Sequence, residues 1–408
     1  MMSPVTALAD AVLPLIRTRA DVWRWNIADA HGARMHEAVA ILRQAAEDDD
    51  PAEVFAVTQR AIASALKVIM RADDSSGIIG DACYDLLELH PVMAARSRPA
   101  PTKLVDWMVK FQFDDECDYF TIDPVAYAPA LGPDGMAAYR VKLDERAAAL
   151  GPRTAENQFS HARVSLEWNA QRLAVFDRDV DAIIRTHARD RRVAAWLKDT
   201  ATALMEIGEI DAAIDWAKQA TDFDDGHQAR RAADYWCELL AEHRADELLG
   251  ARVDVFRRWP SSTTAGHLYR DARVAWPDYE DEVFERLAPH PRDAVLFAQL
   301  SLKDVPLAWN LAHSLGLADA RTWSDLVKAY EKLDPLAVLP IHTELVEGEL
   351  AEADARNYRS AARRLKKMRK LAAGSSESVE VDELIADLRD RYRRRPRLQQ
   401  EFDRAGLP

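Results

Sequence analysis

The sequence predicts an all-α protein: a tetratricopeptide-like helical-repeat solenoid with a helical N-terminal domain. Two observations support this fold class. Glycine is scarce, at 14 of 408 residues, about half its usual share, whereas folds rich in sheets or phosphate-binding loops spend glycine on turns. Apolar residues also recur at intervals of three and four through most of the chain, and no segment has the character of a strand. The length further predicts more than one domain.

The first predicted domain, residues 1–152, consists of helices separated by proline and glycine. Pro51 is expected in the first turn of a helix, where its missing N–H has no structural consequence. His90 and Pro91 are expected to end a helix, because the residue before a proline disfavours the helical conformation. Further helices are expected at 103–111 and 133–150, with the least helical part of the chain between them at 114–124.

The second predicted domain, residues 153–355, is a series of similar helices joined by short polar turns. Residues 194–227 fit the spacing of a tetratricopeptide helix pair, in which small residues let two helices cross closely and Gly208 permits the turn. The positions that fit are Leu197, Ala201, Leu204, Gly208, Ile210, Ala213, Ala217 and Ala220. About eight further helices of similar length favour a solenoid-like stack.

The third predicted segment, residues 356–408, is a basic helical hairpin and tail. It holds 15 Lys/Arg and 8 Asp/Glu, a net charge of +7, whereas residues 1–355 hold 39 and 60, a net charge of −21. Pro396 is expected to stop the second helix of the hairpin. The candidate residues for binding an anionic partner are Arg363, Arg364, Lys366, Lys367, Arg369, Lys370, Arg391, Arg393, Arg394 and Arg395.

This basic segment has two other interpretations, which stay open at the level of sequence. Cations in the last turn of a helix complement its dipole. Neighbouring acidic residues, among them Glu347 and Glu349, could instead neutralise the charge within the molecule.

Three stretches of the chain carry a resemblance to a known family: residues 71–83 (RADDSSGIIGDAC), residues 117–128 (CDYFTIDPVAYA), and the C-terminal pattern of Tyr358, Ala361, Leu365, Met368 and Leu371 followed by a closing Arg-Pro-Arg-Leu. They resemble bacterial proteins of the SWIM zinc finger family and their zinc-free helical relatives. The resemblance implies an α-helical repeat body. The finger of that family needs a Cys-x-Cys pair and a Cys-x-His pair, which Cys83, Cys117 and Cys237 cannot supply, so no zinc is expected.

No established catalytic or cofactor motif occurs. The chain lacks the glycine-rich nucleotide loops, the G-x-S-x-G elbow and the H-E-x-x-H zinc motif. An acidic cluster could hold a hard cation, but it lacks the spacing of a calcium loop and is expected to be a solvated loop with helix caps; its members are Asp114, Asp115, Glu116, Asp118 and Asp123. The 11 histidines are isolated from one another. The 11 tryptophans are expected to pack between helices, and the alternative is that they line a ligand or peptide groove. We therefore expect no cofactor and no metal.

The favoured function is a non-catalytic protein–protein interaction scaffold, because stacked helix pairs form extended surfaces that bind other proteins. The alternative is a nucleic-acid-associated accessory protein that docks through the basic C-terminal hairpin. An enzyme whose site is assembled from residues distant in sequence is a third possibility. No apolar run is long enough to span a membrane, and the N-terminal apolar stretch at 11–16 predicts no export signal. Three widely spaced cysteines favour a reducing, cytoplasmic location.

Overall fold

The computed structural model describes residues 4–113, 119–154, 157 and 159–408. Helices cover 77% of the chain, and the described residues contain no strand, which confirms the all-α prediction. The chain divides into two compact units, residues 1–216 and 217–408. The predicted domain boundaries near residues 152 and 355 stay predictions.

The first unit contains ten helices in its described residues, the last of which extends into the second unit. They are α1 (Pro4–Ile16), α2 (Trp25–Asp48), α3 (Pro51–Ile69), α4 (Ile78–Ser97), α5 (Pro101–Gln112), α6 (Pro124–Leu150), α7 (His161–Phe176), α8 (Val180–Ile183), α9 (Ala194–Glu206) and α10 (Ile210–Thr221). Helices α1 to α4 form a bundle in which α2 and α3 both pack against α4, and α6 packs against α4, α5 and α7.

The second unit adds eleven helices in the part of the chain that is described. They are α11 (His227–His243), α12 (Ala245–Arg258), α13 (Ser262–Ala272), α14 (Glu280–Leu287), α15 (Pro291–Leu296), α16 (Val305–Ser314), α17 (Ala320–Tyr330), α18 (Leu339–Ala351), α19 (Ala355–Leu371), α20 (Glu377–Arg391) and α21 (Pro396–Ala405). From α15 to α20 each helix packs against the next, and α11, α12 and α13 do the same. Contacts between near neighbours in sequence are typical of a helical repeat.

Helix α4 does not end at Pro91, so that prediction is wrong. The helix continues to Ser97 and buries Pro91, Met93 and Ala94. Burial of this last segment compensates for the helical hydrogen bond that a proline cannot donate. A preference of one residue pair was therefore overridden by packing. The irregular connection shrinks to the residues between Ser97 and Pro101.

Helix α6 begins earlier than expected, at Pro124, where the Asp123 carboxylate accepts the Val125 N–H at 2.9 Å. The helix is interrupted at Gly132, whose φ of 62° lies in the left-handed region. Asp123 is thus a helix cap, as expected. The rest of the predicted acidic cluster, Asp114, Asp115, Glu116 and Asp118, lies outside the described residues.

The turn between α9 and α10 confirms the predicted helix pair. Gly208 has a φ of 83°, which side chains disfavour. Its N–H donates to the Met205 carbonyl at 3.0 Å, and the Glu209 N–H donates to the Leu204 carbonyl at 3.0 Å. This pattern is a Schellman cap, which ends a helix cleanly.

The tryptophans of the second unit lie mostly in its core, as predicted, whereas Trp23 and Trp25 are 71% and 62% exposed, so the prediction is wrong for these two. Trp236, Trp276, Trp309 and Trp323 are buried. The Trp309 ring stacks on Tyr330 at 4.2 Å and meets Trp323 edge-on at 5.5 Å. These aromatic rings fill the space between successive helices.

The C-terminal segment is a three-helix arrangement rather than a hairpin with a tail. Pro396 begins α21 instead of only stopping the helix before it, since a proline is well suited to the first helical position. Leu398 and Phe402 of α21 are buried in the same core as Leu365 and Ile385. No helix among the described residues is long and apolar enough to cross a membrane.

Candidate protein-binding surfaces

Helix α19 separates an apolar face from a strongly basic one. Its apolar stripe, which recurs at intervals of three and four residues, is buried, as Tyr358, Ala361, Leu365, Met368 and Ala372 are at most 5% exposed. The helix holds eight Lys/Arg and no Asp/Glu. Where each cation points decides whether it can bind a partner.

The α19 cations that face neighbouring helices already have carboxylate partners. Arg364 is held by Glu349 at 3.0 Å and also contacts His342 Nδ1 at 3.2 Å. Lys367 lies 2.7 Å from Glu331, and Arg369 lies 2.7 Å from Asp382. The self-neutralisation interpretation therefore holds for these three predicted site residues.

The predicted residues near the end of α20 are also largely occupied. Arg391 bridges Glu347 of α18 at 2.7 Å and Asp387 of its own helix at 2.5 Å. Arg393 lies 3.1 Å from Asp390. Arg395 donates to the Leu350 carbonyl at 2.7 Å and lies over the Tyr392 ring at 4.4 Å. These bonds anchor the last two helices to α18.

Four predicted site residues remain available to a partner. Arg363, Lys366, Lys370 and Arg394 are exposed and have no ion-pair partner among the residues that the structure describes. Three of the four lie on α19.

A polar groove of about 680 Å³ opens beside the Arg364–Glu349 pair. Four carboxylates and three cations line it, so it offers no net positive charge: Asp325, Glu344, Glu349 and Glu352 against Arg321, Lys328 and Arg364. His342 is buried below it, and burial together with Arg364 and Lys367 lowers its pKa to about 4. This group stays neutral at physiological pH and serves packing.

An apolar groove of about 600 Å³ lies in the first unit, between α4 and the start of α6. Its lining includes Tyr84, Leu87, Pro91, Val92 and Ile122. Tyr84 and Val92 are 52% and 54% exposed, which is high for apolar side chains beside a concave surface. Exposed apolar side chains that gather in one groove are typical of an interaction surface, whereas single ones are not.

A second groove of about 720 Å³ adjoins the first, and Pro129 lines both. Met136 and the half-exposed Phe176 contribute to its wall. The two grooves together, which we call the proline grooves, follow α4 and α6 where each helix contains an internal proline. Sequence reasoning missed this surface, because Pro91 was interpreted as the end of a helix and Pro129 gave no signal of its own.

The internal prolines also leave backbone acceptors without their helical donors. A proline has no N–H, so the carbonyl four residues earlier loses its bond. Pro91 deprives the Leu87 carbonyl and Pro129 deprives the Val125 carbonyl, and all four residues line the proline grooves.

A buried aromatic cluster supports the floor of the first groove. Tyr127 lines the groove, and its hydroxyl is hydrogen-bonded to His90 Nδ1 at 2.9 Å. The His90 ring packs against Trp107 at 4.2 Å and Phe55 at 4.7 Å. Burial lowers the pKa of His90 to about 3 and raises that of Tyr127, so both stay neutral at physiological pH.

A mostly buried arginine of α7 also holds the start of α6 in place. Arg172 of α7 donates to Asp123 at 2.7 Å and to Glu206 at 2.7 Å, and these bonds raise its pKa. It thereby ties α7 to the loop that borders the groove and to α9. No sequence signal predicts this triad, because its members are 34 and 49 residues apart.

The described residues contain no group of three or more His, Cys, Asp or Glu that could hold a metal ion. Cys237 is buried and its pKa is raised to about 11, chiefly by that burial, so its thiol is unreactive.

The sequence model of a family described as a family of unknown function (DUF6880) matches residues 15–397. The chain belongs to this family. A search of curated proteins found no significant match. A solved structure described as a circular tandem repeat protein with novel repeat topology and enhanced subunit contact surfaces is similar at 12% identity, covering 98% of this chain and 96% of that one, with a TM-score of 0.17. At that TM-score the likeness carries no argument. The resemblance to the SWIM zinc finger family stays a prediction.

Proposed function

We propose that this member of the DUF6880 family is a non-catalytic protein–protein interaction scaffold built on α-helical repeats. The pair of proline grooves in the first unit carries the proposal. They combine exposed apolar side chains, a buried aromatic floor and two backbone carbonyls whose helical donor is replaced by a proline, which together suit a polypeptide ligand.

The proposed occupant is an extended apolar segment of another protein. An α-helical ligand uses its own N–H groups internally, whereas an extended segment has free N–H groups to offer the Leu87 and Val125 carbonyls. Its aliphatic or aromatic side chains would cover Tyr84, Val92 and Phe176. Burying these side chains supplies most of the affinity.

The proposal is tested by affinity capture with quantitative mass spectrometry and three versions of the full chain. The groove variant carries Tyr84→Ser and Val92→Ser. The control carries Leu300→Ser and Val379→Ser, which remove apolar side chains 66% and 61% exposed in the second unit. Proteins retained by the wild type and the control but lost from the groove variant support the proposal. Identical sets from all three versions overturn it.

The alternative function is a nucleic-acid-associated accessory protein that docks through the basic C-terminal helices. The carboxylate partners of Arg364, Lys367, Arg369, Arg391 and Arg393 count against it, because neutralised cations release no counterions from phosphates.

We also propose a cytoplasmic location. Cys237 is a buried thiol outside any disulfide, as expected in a reducing compartment. Thiol labelling of the protein in intact cells and after export to an oxidising compartment checks this assignment.

A further inference from the structure

The outer face of α19 carries a straight row of cations. The sequence shows that this segment is basic, but not that these cations share one exposed face. We call these cations the outward row: Arg356, Arg359, Arg363, Lys366 and Lys370. The intervals are three, four, three and four residues, so the five side chains share about 80° of the helix circumference. All five are exposed. The row is about 21 Å long, with one positive charge for each helical turn.

The cations of α19 are sorted by the direction in which they point. Arg364, Lys367 and Arg369 face neighbouring helices, and each has a carboxylate within 3.0 Å. In the outward row, no member has an ion-pair partner among the described residues; Arg359 and Arg363 donate only to backbone carbonyls of their own helix. Structural needs therefore explain the first set and leave the second unexplained.

The outward row also has an energetic cost within the helix. Like charges three and four residues apart repel each other, and α19 has no acidic residue to offset them. Arg356 and Arg359 lie in the first turns, where the helix dipole disfavours cations. An ordinary solvated face mixes both signs of charge and avoids these costs.

We propose that the outward row docks an acidic α-helix of another protein. Acidic residues at intervals of three and four on such a helix present one carboxylate for each turn of about 5.4 Å, which matches the row. Ion pairs of this kind also fix partner choice in helix–helix pairing.

The surroundings of the row favour a helix over nucleic acid. Glu331 and Glu349 border the row on one side of α19, and Asp382 borders it on the other. These carboxylates offset the other cations of α19, so its unpaired positive charge is confined to the row, which suits a single acidic helix. The apolar face of α19 is buried, so the helix has nothing to insert into a membrane.

This proposal is independent of the proline grooves and is tested with defined probes. The first probe is a synthetic helical peptide of about 18 residues with Glu at intervals of three and four. The second has the same composition with its Glu residues distributed around the helix. The third is a DNA duplex of comparable length. Binding to the full chain is measured by fluorescence anisotropy over a series of salt concentrations.

Two triple variants distinguish the effect of losing the outward row from the effect of losing the same positive charge elsewhere on the second unit. The row variant carries Arg363→Gln, Lys366→Gln and Lys370→Gln. The control variant carries Lys332→Gln, Arg394→Gln and Arg397→Gln, which removes the same charge from exposed cations of the same unit that lie off the row. Circular dichroism checks that all three proteins are folded.

We expect the patterned peptide to bind the wild type and the control variant alike, and the row variant about tenfold more weakly with a shallower salt dependence. The redistributed peptide should bind more weakly than the patterned one. The proposal is overturned if both variants lose the same affinity, if the arrangement of Glu makes no difference, if no peptide binds, or if the duplex binds more tightly than the patterned peptide through the row.

Discussion

Helices α4 and α19 each carry a candidate binding surface, and they do so with opposite chemistry. Helix α4 contains a proline, exposes apolar side chains such as Tyr84 and Val92, and leaves a backbone carbonyl without its helical donor. Helix α19 has no proline and presents only cations to solvent. The surface on α4 depends on an interrupted pattern of helical hydrogen bonds. The surface on α19 depends on an uninterrupted helix, which keeps its cations at a regular spacing along one face. A helical repeat can thus display binding groups in two separate ways on one chain.

Adjacent arginines on α19 should differ most in their effect on stability. Arg364→Met removes the partner of the mostly buried Glu349, which should lower the free energy of unfolding by about 3 kcal/mol. Arg363→Met, one position away on the outward row, should change it by less than about 0.5 kcal/mol. Urea denaturation at pH 7 measures both values. Adding Glu349→Leu to Arg364→Met should recover much of the loss, and equal losses from the two arginines would contradict the sorting of charges on α19.

Acid should destabilise both surfaces through their buried histidines. The pKa of His90 beneath the proline groove is about 3, and that of His342 beside α19 is about 4, against 6.5 for the unfolded chain. Below pH 6.5 these histidines bind protons in the unfolded state but stay neutral in the folded state until the lower pKa is reached. The free energy of unfolding therefore falls as the pH falls from 6.5 toward those values. Between pH 7 and pH 5 each histidine should contribute a loss of about 1–2 kcal/mol.

The variants His90→Phe and His342→Leu isolate these contributions. In each variant, the difference in unfolding free energy between pH 7 and pH 5 should be smaller than in the wild type. The decrease should equal the contribution of the missing histidine, because an apolar side chain cannot bind the proton. An unchanged difference in either variant would show that its histidine is accessible to protons in the folded state.

Pro91 of α4 should contribute to binding at the proline grooves while lowering the stability of its helix. Pro91→Ala restores the hydrogen bond to the Leu87 carbonyl and should raise the free energy of unfolding by about 1 kcal/mol, after allowance for the greater entropy of the unfolded chain. The same change should weaken capture of groove-dependent proteins. Denaturation midpoints and the capture assay test the two effects together, and a lower midpoint would mean that the ring of Pro91 is needed for packing.

The outward row should matter least for folding. The triple variant at Arg363, Lys366 and Lys370 relieves like-charge repulsion and breaks no ion pair among the described residues, so its free energy of unfolding should stay within about 0.5 kcal/mol of the wild type. Thermal denaturation followed by circular dichroism measures it. A large loss would show that these cations stabilise the structure and were not available to a partner.

The features that follow from local pattern were predictable from the sequence. The buried stripe on α19 follows from apolar residues at helical spacing, and the turn at Gly208 follows from the repeat template. Pro51 begins α3, as its position after an acidic run indicated. Each of these depends on a few neighbouring residues.

The features that depend on distant residues were not predictable. A proline can begin, end or interrupt a helix, and only the burial around Pro91 and the core contacts of α21 after Pro396 decide which. The partners of Arg364 lie 15 and 22 residues away, and His90 meets Tyr127 across 37 residues. The basic C-terminal residues were therefore recognised as a group, while their division into paired and available cations required the structure.

Site-specific photocrosslinking tests whether the proline grooves bind a protein. A benzoylphenylalanine placed at Tyr84, in the groove, is compared with one at Val274, which is 98% exposed in the second unit. After irradiation of living cells, we expect discrete protein adducts at position 84. These adducts should be lost when Pro91→Ala is added, and none of them should form at position 274. The same adducts at both positions, or none at position 84, would contradict the proposal.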